Sequence, residues 1–484
     1  MISTLSPIIL DIAVLAVGLI AILLEAFEED KNKSIIRGFT TTAIGLLFVA
    51  SFFFQPQSVE AASQIVQFYK ADRLALFYKQ IALGATFLVL LMASDFRSIL
   101  AKFIPGVTPN SGIGEFFALP IFTCVGLMWM ASAVDFIFVF VALELVTISF
   151  YILVSYMRRS ASSLEAGVKY LILGALSTGF LVYGITWVFG VTGQTNFAAL
   201  TSAIASLPET HHQALLFGAA FVLIGLGFKV AAAPFQLWVP DVYQGAPTPI
   251  TAYLSVGSKA AGFVVLMRVL EPFMANPFIA SKVNGVLWGL ALLTLIYGNL
   301  AAMPQDNLKR LLAFSSIAHA GYLLIPLAAW SNRSITTVSF YLGGYLLMTM
   351  LAFVVMVIVN RATGSDEIAA FNGLSRRSPL LAFGMLVAMM SLAGVPSTIG
   401  FFGKFLVFRD AVAQQQWALV AVGILAVGAC FYYYLKVVRA MYWNAPKESD
   451  TIEVPLITKI AIVALSVLIF VFGIFPGPVL ALLK

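Results

Sequence analysis

Apolar residues fill runs of roughly 20 positions that recur along the whole chain, and polar residues collect in the short segments between them. A helix of that length crosses a hydrocarbon core about 30 Å thick. The pattern therefore predicts an all-α polytopic membrane protein with about fourteen transmembrane helices. The first apolar run, from about Pro7 to Phe27, lacks a basic leader and a small-residue cleavage site, so it is interpreted as the first span.

Two predicted helices are interrupted beside a lysine. The first contains Lys229 and Pro234, and the second contains Pro396 and Lys404. Each is the fourth helix in a block of five, and an odd number of spans makes the second block inverted relative to the first. Matching interruptions in two halves are typical of repeated transporter units with ion sites near mid-membrane. The predicted segments are a three-helix segment at 1–114, a first repeat at 115–272, an inverted second repeat at 273–440, and a C-terminal helix at 441–484.

Composition narrows the functional classes. The 484 residues are 61% hydrophobic and 10% charged, which excludes a soluble globular protein and leaves no soluble domain for redox chemistry or nucleotide binding. The net charge of +6 does not indicate nucleic-acid binding, because the basic residues lie in short loops between spans. Cys124 and Cys430 fall inside apolar runs without a Cys/His cluster, so neither a disulfide framework nor a metal or iron–sulfur site is expected.

Alternate loops differ in their basic residues, and this difference predicts orientation. The richer side contains Lys31, Lys33, Arg37, Arg97, Lys102, Arg158, Arg159, Lys309, Arg310, Arg361, Arg376, Arg377, Lys436, Arg439 and Lys447. The other side contains Lys70, Arg73, Lys282, Arg333, Arg409 and Lys484. Because cytoplasmic loops carry the excess of Lys and Arg, both termini are expected to face outward.

Few charges remain once those of the loops are set aside. Glu144 lies about eight residues into its span, at a depth of roughly 12 Å, and Lys229, Lys259 and Lys404 lie comparably deep. An ionisable residue inside a membrane is a functional candidate by default. Lys169 falls near the start of its helix. Asp11, Glu25 and Asp135 fall near span ends, where their side chains are expected to reach the interface.

When the distance between a carboxylate and a buried lysine changes, the affinity of that lysine for protons changes too. Glu144 and Lys229 are therefore interpreted as a proton switch, and the alternative is a static ion pair that joins two helices. Pro234 and Pro396 free backbone carbonyls for an ion path, or else only kink their helices for packing. His319, whose ordinary pKa is near neutral, is either a relay between Lys259 and Lys404 or a packing histidine.

These residues resemble the antiporter-like membrane subunits of respiratory complex I, and among them the subunit N (subunit 2) family of proton-translocating NADH:quinone oxidoreductase. The matching stretches are 140–145 (Phe-Val-Ala-Leu-Glu-Leu), 165–179, 227–249, 258–259, 315–322 (Ser-Ser-Ile-Ala-His-Ala-Gly-Tyr) and 400–405 (Gly-Phe-Phe-Gly-Lys-Phe). The block at 240–249 is shared by all antiporter-like subunits. Subunits L and M usually carry a His-Ala-Ala-Thr-Met-like stretch where this chain has Leu-Ser-Val-Gly-Ser-Lys at 254–259, and subunit L adds a long lateral helix that this chain lacks.

The resemblance implies a subunit that binds no redox cofactor, with NADH, FMN, iron–sulfur clusters and quinone in partner subunits. It implies that Glu144 modulates Lys229, that Lys259 carries protons along a central axis, and that Lys404 leads to the other half-channel, with Lys169 and His319 as auxiliaries. The implied partners are other membrane-arm subunits, namely subunit M and small subunits such as K and J, within a lipid bilayer. The implied location is the bacterial inner membrane, with periplasmic termini.

Three functional classes are consistent with the sequence. The first is a proton-translocating subunit of a multisubunit redox enzyme, and the second is an Mrp-type cation/proton antiporter subunit. The third is a scaffold whose buried charges only assemble the membrane arm.

Overall fold

The computed structural model describes residues 7–27, 34–56, 67–105, 113–446 and 450–483. Within these ranges the chain is helical, and it contains no β-strand, only three isolated β-bridges. Twelve helices in the described ranges are long and apolar enough to cross a membrane, so the chain is a membrane protein. Two further apolar helices, Ile35–Ser51 and Pro379–Ala393, are shorter. The count of fourteen spans and the division into four segments therefore stay predictions.

Four basic residues used to predict orientation, Lys31, Lys33, Lys447 and Lys484, lie outside the described residues. The orientation of the chain in the membrane also stays a prediction.

The N-terminal segment contains three long helices. They are α1 (Ile8–Phe27), α2 (Ser34–Ser51) and α3 (Arg73–Leu100). Asp72 caps α3, and its carboxylate accepts a 2.8 Å hydrogen bond from the Ala75 amide. The same carboxylate binds the buried Arg268 guanidinium through two hydrogen bonds of 2.7 and 3.1 Å. This bidentate pair joins the N-terminal segment to the helix that contains Arg268.

The middle of the chain contains two interrupted regions. Its helices are α4 (Glu115–Ser132), α5 (Phe136–Val154), α6 (Ala161–Thr192), α7 (Phe197–Ala205), α8 (His212–Val230), α9 (Val239–Gly245), α10 (Thr248–Tyr253), α11 (Lys259–Phe273), α12 (Pro277–Ala302), α13 (Leu308–Ala328), α14 (Ser334–Thr363), α15 (Leu374–Arg377), α16 (Pro379–Ala393), α17 (Ile399–Ala413) and α18 (Trp417–Tyr442). The chain continues with α19 (Leu456–Ile474) and α20 (Gly477–Leu483).

Both predicted helix interruptions are present in the structure. The first follows α8, which ends at Val230, and the chain resumes as the short α9. The second separates α16 from α17, where Gly394 adopts a left-handed backbone with φ of +90°. Proline cannot donate a backbone hydrogen bond, so Pro234 and Pro396 prevent each helix from continuing. The inverted symmetry of the two five-helix blocks stays a prediction.

Glycines bring α6 and α8 into close contact. A methyl group added at Gly225 of α8 would lie 2.6 Å from Leu181 Cβ, and one added at Gly184 of α6 would lie 2.6 Å from the Val222 nitrogen. Small residues let membrane helices approach until their backbones touch, where dispersion and weak polar contacts replace the hydrophobic drive that lipid does not supply. This packing holds α8, and therefore Lys229, against the rest of the bundle.

We expect Gly225→Val to lower the apparent unfolding temperature of the purified assembly, because overpacking costs about 1–3 kcal/mol. Gly179→Val is the matched control, since a Cβ at Gly179 meets nothing within 4 Å. Thermal unfolding followed by intrinsic fluorescence measures both variants. Equal unfolding temperatures for the two variants would contradict the close contact of α6 with α8.

Candidate functional site

Lys229 lies at the last turn of α8, and its side chain is 6% exposed. The helix ends there because Ala231 adopts a left-handed backbone with φ of +64°. The Lys229 ammonium donates a 2.7 Å hydrogen bond to the Thr147 hydroxyl of α5. Trp238 donates its indole N–H to the Phe228 carbonyl at 3.1 Å, which satisfies one backbone acceptor at this helix end. The lysine is therefore held by a neutral hydroxyl.

Glu144 lies three residues before Thr147 on α5, so the two side chains share one face of the helix. Its carboxylate accepts a 2.9 Å hydrogen bond from the Thr178 hydroxyl of α6, and the residue is half-buried. Among the described residues no carboxylate lies within 4 Å of the Lys229 ammonium. Glu144 and Lys229 thus face the same region without forming a contact ion pair in this conformation.

Lys259 is the first residue of α11 and follows a π-helical turn at Leu254–Ser258. Such turns are rare and recur at functional sites. Lys259 is 2% exposed. Its ammonium donates a 2.7 Å hydrogen bond to the Ser316 hydroxyl and another to the Ser316 carbonyl. The Ser316 hydroxyl in turn lies 3.3 Å from the Tyr243 hydroxyl of α9. This arrangement links the lysine to the chain segment just beyond the first interruption.

His319 connects two tyrosines in the interior of the bundle. Its Nδ1 lies 2.7 Å from the Tyr341 hydroxyl and its Nε2 lies 3.1 Å from the Tyr434 hydroxyl, so both ring nitrogens are hydrogen-bonded. The His319 ring lies 5.1 Å from the ring of Tyr345, and the Lys259 ammonium lies 5.6 Å from that same ring. His319 is therefore one aromatic ring away from Lys259.

Lys404 of α17 binds the end of α16. Its ammonium donates to the carbonyls of Leu392 and Ala393 at 3.0 and 2.8 Å, and it lies 3.6 Å from the Cys430 sulfur. The last carbonyls of a helix carry partial negative charge, so the interrupted helix stabilises the ammonium without a carboxylate. The ammonium lies 5.0 Å from the ring of Tyr322, which itself is 6.2 Å from the His319 ring.

The structure thus brings Lys259, His319 and Lys404 into one buried series, with Lys229 held near Glu144 at the first interruption. It does not bring Lys169 into that series. Lys169 is 41% exposed and pairs with Glu165 and with Asp241 of α9, each at 2.7 Å.

Asp241 lies in a charged cluster at the surface of the bundle. It also accepts from Arg310 at 2.8 Å. Partial burial alone would raise the pKa of Asp241, but the hydrogen bonds from Lys169 and Arg310 lower it below its ordinary value. This carboxylate therefore stays ionised at neutral pH. Pro234 and Pro396 are both exposed, the first between α8 and α9 and the second between α16 and α17.

Some buried charges were not predicted from the sequence, and two charges that were expected to reach the interface are buried. Asp135 is 2% exposed, and its carboxylate accepts hydrogen bonds from the Ile137 amide and the Thr195 hydroxyl, each at 2.7 Å. Asp11 was expected to reach the interface, but it is 3% exposed and pairs with Lys79 at 2.7 Å. Lys79, Arg268 and Asp410 are also buried and were not predicted. Lys79 lies seven residues after Asp72, about as deep in its span as Glu144. Its depth in the sequence was therefore the signal that could have identified it. Asp11 is stabilised in the interior because Lys79 and Tyr69 both donate hydrogen bonds to its Oδ2.

Comparison with known families places this arrangement in context. The sequence model described as "NADH:quinone oxidoreductase/Mrp antiporter, TM" matches residues 133–429. NADH-quinone oxidoreductase subunit N of Trichlorobacter lovleyi is 41% identical over 84% of this chain and 82% of that protein. The chain belongs to this family.

Other subunit N proteins match over nearly full length. The one from Heliobacterium modesticaldum is 38% identical over 96% of this chain and 95% of that protein. Among solved structures, a chain of respiratory complex I from Thermus thermophilus with bound aureothin is 30% identical, with a TM-score of 0.80 and 98% of both chains covered. A chain of the Mrp complex from Dietzia is 20% identical, with a TM-score of 0.82 over 98% of this chain and 95% of that chain, and it shares the fold.

The Lys404 contact generates a prediction at Gly394. We expect Gly394→Ala to destabilise the second interruption by about 1–2 kcal/mol, because an L-residue is strained in a left-handed backbone. The added Cβ would also lie 3.0 Å from Lys404 Cδ and displace that side chain. Thermal unfolding of the assembled complex measures the loss. Gly428→Ala in α18, where a Cβ meets nothing within 4 Å, is the control and should not lower stability.

Proposed function

We propose that this chain is the proton-translocating membrane subunit of an NADH:quinone oxidoreductase, and that it moves protons along its buried ionisable side chains. One observation carries the proposal: Lys229, Lys259 and Lys404 are each less than 10% exposed and rest on neutral hydroxyls or carbonyls. An ion pair kept only for stability would place a carboxylate against each ammonium. These lysines instead have neutral oxygens as partners, and both the ammonium and the neutral amine can donate hydrogen bonds to such oxygens.

Glu144 is the switch in this proposal. It lies one helical turn from Thr147, which holds Lys229, and its own partner is the hydroxyl of Thr178. A carboxylate that moves toward a buried ammonium stabilises the charged form, and one that moves away favours proton release. A change of one pKa unit at Lys229 corresponds to about 1.4 kcal/mol, which a displacement of one charge in a low-dielectric interior supplies.

The series from Lys259 to Lys404 provides the onward path. His319 both donates and accepts hydrogen bonds, since its two nitrogens contact the hydroxyls of Tyr341 and Tyr434. The carbonyls at the end of α16 stabilise the proton once it reaches Lys404. Pro396 contributes by leaving the α16 carbonyls without an amide partner, and Pro234 interrupts the helix that contains Lys229 in the same way. Lys169 belongs to a surface cluster with Asp241 and assists from there.

The chemistry that drives the movement belongs to partner subunits. The proposal assigns NADH oxidation, FMN, the iron–sulfur clusters and quinone reduction to those subunits, and it gives this chain no redox step. Subunit M and small subunits such as K and J are the proposed neighbours in the membrane arm. The proposed location is the bacterial inner membrane, with both termini periplasmic.

The Mrp-type antiporter is the second candidate, because the matching family model covers both groups. The subunit N relatives, which are 38–41% identical over most of the chain, favour the oxidoreductase. Similarity to the Mrp complex at 20% identity extends to the fold alone.

Lys229→Ala and Glu144→Ala test the switch in the assembled complex. We expect proton pumping to fall by a factor on the order of 10², the effect of removing a positioned acid or base. Pumping is measured by a pH-sensitive dye in sealed vesicles, and quinone reduction is measured in the same preparation.

Lys282→Ala is the control, because Lys282 is exposed. It should leave both rates unchanged. If both Lys229→Ala and Glu144→Ala reduce quinone and pump protons at the unsubstituted rate, the switch is wrong and the scaffold class is favoured.

A further inference from the structure

A second buried ionisable cluster lies outside the five-helix blocks, in the N-terminal segment. It consists of Asp11 of α1, Lys79 of α3 and Tyr69, which precedes α3 in the chain. These residues are 3%, 0% and 5% exposed. All three precede residue 133, where the family match begins. None of the three belongs to the series from Lys229 to Lys404.

The hydrogen bonds of the cluster leave one acceptor unused. The Lys79 ammonium donates to Asp11 Oδ2 at 2.7 Å, to the Pro7 carbonyl at 3.4 Å and to the Tyr69 hydroxyl, so all three of its protons are engaged. The Tyr69 hydroxyl donates to the same Asp11 Oδ2 at 2.6 Å. Asp11 Oδ1 is buried and has no hydrogen-bond partner among the residues that the structure describes.

An unpartnered carboxylate oxygen in a protein interior is costly, and a purely structural ion pair is stable only when its remaining lone pairs are satisfied. The unused capacity lies on an acceptor, while every donor is engaged. The carboxylate can therefore take up one more proton on Oδ2, which already contacts the Tyr69 hydroxyl, and the unpartnered Oδ1 then becomes a neutral carbonyl oxygen, which costs less to leave without a hydrogen bond. This asymmetry distinguishes it from a static pair.

Tyr69 lies in the walls of two cavities. One has a volume of about 640 Å³ and is lined in part by Asp72, Arg268 and the exposed side chains of Lys70 and Glu271. The other has a volume of about 350 Å³, and it is lined by Asp11 and Tyr69 together with mostly apolar side chains. Tyr69 thus stands between an open, charged pocket and the buried carboxylate.

We propose that Asp11, Tyr69 and Lys79 form an additional proton-binding site, which exchanges protons with the open pocket through the Tyr69 hydroxyl. The inference rests on the proposed proton-translocating function and adds a site to it. In the exchange, a hydronium ion in the pocket gives a proton to Tyr69 Oη and becomes water. Tyr69 passes its own proton to Asp11 and stays neutral. Asp11 becomes a carboxylic acid, Lys79 stays an ammonium, and the cluster changes from neutral to one positive charge.

The charged groups around the cluster are compatible with this exchange. Burial raises the pKa of the Tyr69 hydroxyl, and the neighbouring Asp11 raises it further, so Tyr69 keeps its proton at neutral pH and acts as a relay. Burial alone would raise the pKa of Asp72, but Arg268 lowers it below its ordinary value, so this pair stays charged beside the pocket. Among the residues that the structure describes, the buried Cys124 of α4 is a further titratable group that interacts electrostatically with Asp11.

Tyr69→Phe is the most specific test, because it removes one hydroxyl and keeps the ring and the Asp11–Lys79 pair. In the assembled complex we expect pumping to slow by a factor on the order of 10² and proton transfer to become rate-limiting. Deuterated solvent should then slow pumping more in this variant than in the unsubstituted complex. A structural role for the hydroxyl would not raise the isotope effect. Tyr432→Phe is the matched control, since Tyr432 is 63% exposed.

The double variant Asp11→Leu with Lys79→Met separates the two roles further. A static pair is replaced by apolar residues with little loss, so normal pumping by an assembled double variant would overturn the proposal. Loss of pumping with retained assembly supports it. If the double variant fails to assemble, Tyr69→Phe alone decides: a rate and isotope effect equal to those of Tyr432→Phe overturn the proposal.

Lys229→Ala, measured in parallel, keeps the two proposals distinguishable. Pumping that is lost in Lys229→Ala but normal in Tyr69→Phe rejects the additional site and leaves the proposed function standing. Normal pumping in both Lys229→Ala and Glu144→Ala rejects the proposed switch itself. A defect with a raised isotope effect in Tyr69→Phe supports the additional site in either case.

Discussion

A lysine ammonium inside a membrane must find its hydrogen-bond acceptors within the protein, and the middle of this structure is arranged around that requirement. Each carbonyl inside a continuous helix already binds an amide four residues later, so a second hydrogen bond must share that oxygen. The second interruption releases such carbonyls, and those of Leu392 and Ala393 bind Lys404. Lys259 directly follows the π-helical turn, and its ammonium donates to the hydroxyl and carbonyl of Ser316 on α13. A helix break thus provides the acceptors for Lys404, whereas neighbouring continuous helices provide those for Lys229 and Lys259.

The same requirement explains the different surroundings of the charges. Lys229, Lys259 and Lys404 donate to neutral oxygens, and the proposed function requires them to change protonation state there. Arg268, which cannot lose its proton, is fixed by the Asp72 carboxylate through two hydrogen bonds. Lys79 has a carboxylate partner as well, but there the carboxylate keeps an unused oxygen. These buried basic residues thus differ in their partners: Arg268 has a bidentate carboxylate, the three deep lysines have neutral oxygens, and Lys79 has a carboxylate with one unpartnered oxygen.

Much of this arrangement follows from the sequence, and the rest depends on tertiary contacts. Span length predicted most of the helices, and proline or glycine beside a deep lysine predicted both interruptions. The hydrogen-bond partners of the lysines were not predictable. Nothing in the sequence around Thr147 or Ser316 shows that a lysine of another helix contacts it. Asp11 shows the limit clearly. Its position near a helix end favoured the interface, whereas contact with Lys79, 68 residues away in the chain, holds it inside.

The central claim is that protons pass along the series from Lys229 to Lys404, and such transfer requires water or side-chain hydroxyls between the lysines. The most direct test is an experimental structure of the assembled complex at a resolution that shows ordered water. We expect water molecules that connect Lys229 to Lys259 and join His319 to Lys404, each within hydrogen-bonding distance of the next polar atom. A dry, apolar gap between these lysines in every resolved state would contradict the account.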